Sequence, residues 1–253
     1  MSGAWHVRVG TGALPAPAAA WRNQLGLALQ PQLAAGERWL LAEDEDGRLR
    51  ACLRLRERLG LRLPRYSYHV GRAVHAAAEL GLFHCQATLL LGNDLTGDSE
   101  LADLACDPAC VEPAALLGAL IGAALDLVRR EAATFAPRLI CELPGPLDAQ
   151  GHSPFWAGLG RFFCPVDPRQ GRERWGEAWP SHLAPLLPRQ TVYLSFLAEP
   201  AQRALGRLGE AGRAAAAALQ AAGFRAGEHV RVDDGGPIWE LHLPALGPGQ
   251  APP

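Results

Sequence analysis

Residues 93–100 read Asn93-Asp94-Leu95-Thr96-Gly97-Asp98-Ser99-Glu100, placing one amide, two hydroxyls and three carboxylates in a single short insert. Apolar runs at 87–91 and 101–106 bracket it, and runs of that length bounded by turn residues read as buried strands. Polar groups at the mouth of a sheet are costly unless they bind each other or a ligand. Asp94, Asp98 and Glu100 supply acceptors; Asn93, Thr96 and Ser99 supply hydrogen-bond partners. A solvated hairpin loop accounts for the same residues on their chemistry alone. The spacing predicts that Asp94, Thr96 and Glu100 converge on one pocket lined by Tyr66 or Tyr68. Glu142, closing the apolar stretch 138–142, is a second strand-end carboxylate that could contact substrate.

Other reactive constellations are missing. There is no GxSxG and no CxxC pair, and no cysteine lies in a basic setting. Cys106 and Cys110 flank Asp-Pro without a second ligand pair, so small buried residues are expected there and no metal. His69 and His75 sit near Tyr66 and Tyr68 and read as structural.

The elements that must position these groups follow from periodicity. Residues 5–9 alternate as a short strand, and 17–34 fit a helix with Ala18, Trp21, Leu25 and Leu29 on one face. Strands 38–41 and 49–54 form a hairpin about Asp46-Gly47. A strand at 66–71 leads to a helix at 73–80, then to the two strands around the insert. Residues 114–130 form a long apolar helix, ending in Arg129-Arg130 as suits a helix C-terminus; its Gly118 and Gly122 would let another backbone approach. A helix over 153–159 has Ser153 as N-cap and Pro154 at its first position. Residues 165–189 show no periodicity and read as a connecting segment ordered by Trp175 and Trp179. A strand at 190–197, a helix at 200–222 and a hairpin of 228–232 with 237–243 follow. The domain reading is a core over 1–164, the connecting segment 165–189, a second α/β half over 190–246 completing the sheet, and a disordered tail at 247–253.

YSYHVG at 66–71, AELGL at 78–82, TLLLGNDLTGDSEL at 88–101, DP at 107–108, GHSPFWAGLGRFF at 151–163, GF at 223–224 and DDGGP at 233–237 carry a resemblance. Together, over roughly 35–243, they resemble the arginine N-succinyltransferase family, which moves succinyl from succinyl-CoA to the α-amino group of arginine. The resemblance implies an α/β acyl-CoA N-acyltransferase (GNAT-like) fold, a mixed central sheet flanked by helices, here with a partial second half. It implies succinyl-CoA as cosubstrate with no permanently bound cofactor, and arginine or ornithine as acceptor. It further implies a homo- or hetero-oligomer with a paralogue. Asn93, Asp94, Thr96, Ser99, Glu100, Glu142 and Ser153 become the expected substrate-binding residues, and Leu104 falls on the family's succinyl-CoA-binding leucine.

The chain departs from the family at three places. After Asp-Pro the family has a basic, Gly-rich phosphate loop; this chain has Ala109-Cys110-Val111-Glu112-Pro113, an ordinary helix start whose Glu112 repels phosphate. The family's proton-donor histidine falls on Gly209, followed by Glu210, a weak substitute. His152, in the GHSPFW motif, stands where the family tolerates other residues. The family's Met-Arg-Gly after the strand-end glutamate is Leu143-Pro144-Gly145, which removes an anchor for a substrate carboxylate. The family also continues into a small C-terminal β domain, before which this sequence ends. The alternative expectation is a catalytically degenerate paralogue, acting as a ligand-binding, regulatory or structural subunit.

The bulk properties set the remaining bounds. With 253 residues, 49% hydrophobic and 20% charged, the chain can bury a sizeable core. A net charge of −2 points to neither nucleic acid nor an anionic membrane. No basic leader with an apolar block opens the sequence, and the longest apolar stretch, 113–125, is too short to span a bilayer. Scattered cysteines fit a reducing bacterial cytoplasm.

Overall fold

The computed structural model describes residues 5–243. Ten strands form one mixed sheet: β1 (His6–Gly10), β2 (Glu37–Glu43), β3 (Leu49–Arg56), β4 (Ser67–Ala77), β5 (Leu82–Gly92), β6 (Ser99–Cys106), β7 (Arg138–Glu142), β8 (Val192–Tyr193), β9 (Arg225–Arg231) and β10 (Pro237–His242). Their spatial order is β1-β2-β3-β6-β7-β10-β9-β4-β5-β8. The β6–β7 pair is parallel, held in register only at Ser99↔Leu139 and Glu100↔Ile140; the other pairs are antiparallel. This is the expected α/β architecture, a mixed sheet with helices on it.

The helix α1 (Pro113–Arg130) forms as its sequence demands. Pro113 is preset for the first turn, Ala and Leu fill the body, and Arg129 and Arg130 meet the negative C-terminal end. Its buried Leu116, Leu120, Ile121 and Val128 pack on Leu40, Leu53, Leu101 and Leu139 of the sheet. A second cluster joins Tyr68, Leu89, Val230 and Val232 to Phe155 and Trp156 of α2 (Pro154–Gly158), and to Trp179 of α4 (Trp179–Leu183).

Several expectations are corrected. Residues 17–34 are not a helix: a 3-10 turn at Ala16–Ala20 gives way to irregular backbone, in which Trp21 and Leu29 are buried as separate anchors. Pro31 and a left-handed Gly26 (φ 73°) interrupt the helical period there. Of the expected helix 73–80, residues 73–77 continue β4 as a strand and Ala78–Leu80 form a 3-10 turn, because β4 and β5 pair without a break to Ala77↔Leu82; cross-strand pairing overrides the helix preference of the alanines. The 165–189 segment contains α3 (Pro168–Trp175), N-capped by Asp167, then α4, with Trp175 stacked on Trp179 at 5.6 Å. The strand expected at 190–197 is only β8. The helix expected at 200–222 is two helices, α5 (Glu199–Ala204) and α6 (Arg213–Ala221), parted at Gly206 (φ 67°). Neither Gly118 nor Gly122 has a neighbour close enough to need the missing Cβ. The tail at 247–253 lies outside the described residues. Among those described, no helix is long and apolar enough to cross a membrane.

Candidate functional site

Strand periodicity puts the charged groups together. Arg54 and Arg56, two apart on β3, project on one side, and so do Glu142 and Ile140 on β7. Since Glu100 pairs with Ile140, Glu100 and Glu142 share a face at the place where β6 and β7 begin to part. Arg65 spans them, 2.7 Å from Glu142 and 3.5 Å from Glu100. Arg231 reaches Glu142 at 3.1 Å and continues to Asp233 and Asp234 at 3.2 and 2.8 Å. Arg56 binds Glu100, Glu177 and, at 2.7 Å, Glu37; Arg172 binds Asp233.

Buried charge is tolerated only when paired, and this lattice pairs it. Burial raises the pKa of Glu142, but Arg65, Arg231 and Arg172 overcome it and pull the carboxyl down to about 2. Burial also raises Glu100, and there Arg56 and Arg65 only partly offset it, so its pKa stays above the ordinary value. The two carboxyls are thus driven apart in one cavity of about 350 Å³, lined among others by Gln24, Arg56, Arg65, Glu100, Glu142 and Arg172. Acidic and basic groups on one wall suit a small zwitterion carrying an extra cation.

The parting strands leave backbone groups out of the ladder. Asp103 adopts a left-handed φ of 50°, and the β3–β6 register slips beside it. The Leu104 N–H is thereby turned from its neighbour and donates to Gln24 Oε1 at 2.9 Å. Gln24 Nε2 donates in turn to the Glu142 carbonyl at 3.2 Å. Gln24 belongs to a tight turn at 21–28, in which Asn23 Oδ1 accepts from the Leu25 and Leu27 N–H groups and Asn23 Nδ2 donates to Asp103.

A second cavity, about 680 Å³, lies beyond that turn and is lined by Leu25, Ser153, Arg172, Gly209, Glu210 and Asp234, among others. Here three backbones meet. A Cβ on Gly209 would come 2.2 Å from the Gly145 carbonyl oxygen, and one on Gly236 would come 2.2 Å from that of Leu143. The Gly209 N–H donates to Pro144 O at 2.7 Å.

The expected single pocket for the insert does not form. Glu100 enters the smaller cavity, whereas Asn93, Asp94 and Thr96 are exposed and line neither cavity. The reason is topology: β5 and β6 are separated by four other strands, so the insert runs along the sheet's end and is not a hairpin. Asp94 meets His229 at 2.6 Å, and Asp98 meets Arg138. Burial raises the Asp94 pKa, but the His229 hydrogen bond brings it below the ordinary value. Ser99 is structural: its hydroxyl donates to Glu57 O and accepts from Ala136 N. Tyr68 is buried on Phe155, and Tyr66 packs against the same cluster; neither lines these cavities. Ser153 caps α2 by accepting from Trp156 N. Leu104 and Glu142 flank the gap between β6 and β7. Gly209 is extended backbone, not helix, and Glu210 is an exposed side chain paired with Arg213 at 2.7 Å. At 107–110 the chain turns back on Asp107, whose carboxylate accepts from Ala109 N and whose carbonyl accepts from Cys110 N.

Arg54, Arg56, Arg65, Arg231 and Gln24 escaped the reading of the sequence. A signal existed for the first two, since arginines at alternate positions of an apolar strand must find buried partners. Gln24 gave none.

Comparison with known proteins bears on what this arrangement does. Residues 28–246 match the family model described as AstA, arginine N-succinyltransferase beta subunit. An arginine N-succinyltransferase of Salmonella schwarzengrund (strain CVM19633) is 32% identical over 224 residues, 88% of this chain and 63% of that protein. One from Escherichia coli O17:K52:H18 (strain UMN026 / ExPEC) is 30% identical over the same shares. The chain therefore spans less than two thirds of the length of these relatives. The solved structure of arginine/ornithine succinyltransferase subunit AI from Pseudomonas aeruginosa superposes with a TM-score of 0.67 at 24% identity, covering 83% of this chain and 61% of that one. The fold is the GNAT-like one that the sequence motifs led us to expect.

Proposed function

Because the chain belongs to the arginine N-succinyltransferase family, we propose that it binds an acyl-CoA and a basic amino acid, and transfers succinyl to the α-amino group of arginine or ornithine. The match over residues 28–246 carries this reading. The geometry supports it. Glu142, held ionised, faces the cavity as a partner for a guanidinium or ammonium, while Arg56 and Arg65 offer positive charge to carboxylates. The Leu104 N–H, out of the ladder, offers the acyl donor a backbone hydrogen bond in the gap between β6 and β7.

In this reaction the acceptor amine attacks the thioester carbon, the C–S bond breaks, and the amine's proton passes on to the CoA thiolate. No imidazole stands at Gly209 to carry that proton, and Glu210 is unenclosed. The reading therefore rests on positioning more than on general acid–base help. The cosubstrate is succinyl-CoA, with no resident cofactor. The six unbridged cysteines support a reducing cytoplasm. Assembly with a second subunit is supported by the names "beta subunit" and "subunit AI", and by Leu80, Leu82 and Phe83 standing exposed on the long β4–β5 hairpin. The test is an assay of free CoA released from succinyl-CoA in the presence of arginine, then ornithine. Amine-dependent release is expected. Its absence, with arginine still bound, would leave the non-catalytic, ligand-binding reading.

A further inference from the structure

We propose that the turn at residues 21–28 is an intramolecular plug, with Gln24 occupying the slot between β6 and β7 that takes an amide of the acyl donor's arm. This rests on the donor-binding reading above and adds a gate to it.

A carboxamide that accepts from one strand's N–H and donates to the next strand's carbonyl makes the two bonds that a peptide laid in the gap would make. Gln24 does this between Leu104 N and Glu142 O, and it is 5% exposed. A thioester carrier with secondary amides in its arm can replace Gln24 bond for bond, and only by displacing it. The same turn divides a groove. Leu25, Leu27 and Arg172 are walls of both cavities, so withdrawing the turn joins the two volumes into one trough from Glu100 to Gly209. The turn is built to move as a unit. Trp21 and Leu29 anchor its ends in an apolar cluster. Between them, a bridge from Arg22 to Ala28 and the bonds of Asn23 hold it closed. Residues 21–27 of it lie ahead of Ala28, the first residue matched by the family model.

Succinyl-CoA is titrated calorimetrically into the full chain and into Gln24→Ala. Giving up two buried hydrogen bonds taxes the wild type, so the variant should bind about tenfold more tightly. Equal or weaker binding by Gln24→Ala overturns the plug while leaving the donor reading intact; no binding by either protein overturns both. A second measurement needs no variant. Saturating succinyl-CoA should speed exchange of the Gln24 side-chain amide protons in the wild type, because withdrawing the turn frees Nε2 from the Glu142 carbonyl. Slowed or unchanged exchange there, with donor bound, refutes the gate.

Discussion

Replacing Glu142 by glutamine isolates one charge in the arginine lattice and leaves its shape. The carboxyl sits at about 2 in the folded chain against an ordinary 4.5. That depression means the folded state favours the ionised form, by about 3 kcal/mol. The sign follows directly. A carboxyl with a depressed folded pKa contributes its full stability above pH 4.5 and loses it as pH falls toward 2. Glu142→Gln should therefore cost about 3 kcal/mol at pH 7, in line with breaking one partner out of a buried pair. Two effects bear on the size. Arg231 keeps Asp233 and Asp234, so it is not stranded. Glu100, held up in part by the Glu142 charge, relaxes downward and returns some of the loss. Urea unfolding of both proteins at pH 7, and at steps from pH 5 to 3, measures the difference. The gap between wild type and variant should narrow as pH falls through that range. A variant within about 0.5 kcal/mol of wild type at pH 7, or a gap that stays constant on acidification, would refute the reasoning.

Restoring the absent histidine should fail: Gly209→His drives a Cβ into the Gly145 carbonyl oxygen, so it should lose at least the ~1–3 kcal/mol of an overpacked site with no gain in CoA release. A stable Gly209→His with raised transfer would show that the strands around 145 can yield. Wild-type affinity for succinyl-CoA should be weaker than low micromolar, about −8 kcal/mol, since the Asp107–Cys110 turn already uses its own N–H groups and Glu112 adds negative charge; calorimetry decides this. Ser99→Ala should cost about 2 kcal/mol in urea unfolding, because the half-buried Glu57 carbonyl and the buried Ala136 N–H each lose a partner. A loss under about 0.5 kcal/mol would mean water fills the place of the hydroxyl.

Local patterning of the chain by itself determined the elements whose signals are local. The α1 helix, β7, the hairpin of β2 with β3 and the β9–β10 turn follow from apolar period, Pro at a helix start and glycines at left-handed turns. The motifs, read in order, were enough to place the chain in its family. What the tertiary structure decided is which of these meet. The separation of β5 from β6 by four strands scatters Asp94 and Thr96 away from Glu100, although the three lie within seven residues of one another. The alanines of 73–77 become strand because β5 pairs with them. Residues 21–28 carry no period of their own, and Gln24 acquires a role only because β6 and β7 part beside it. Arg65, Arg172 and Arg231 come from three distant segments, each needing a buried carboxylate that folding alone supplies. Propensity and spacing act between neighbours in the chain; ion pairs and open backbone groups are satisfied between neighbours in space, and strand order sets those.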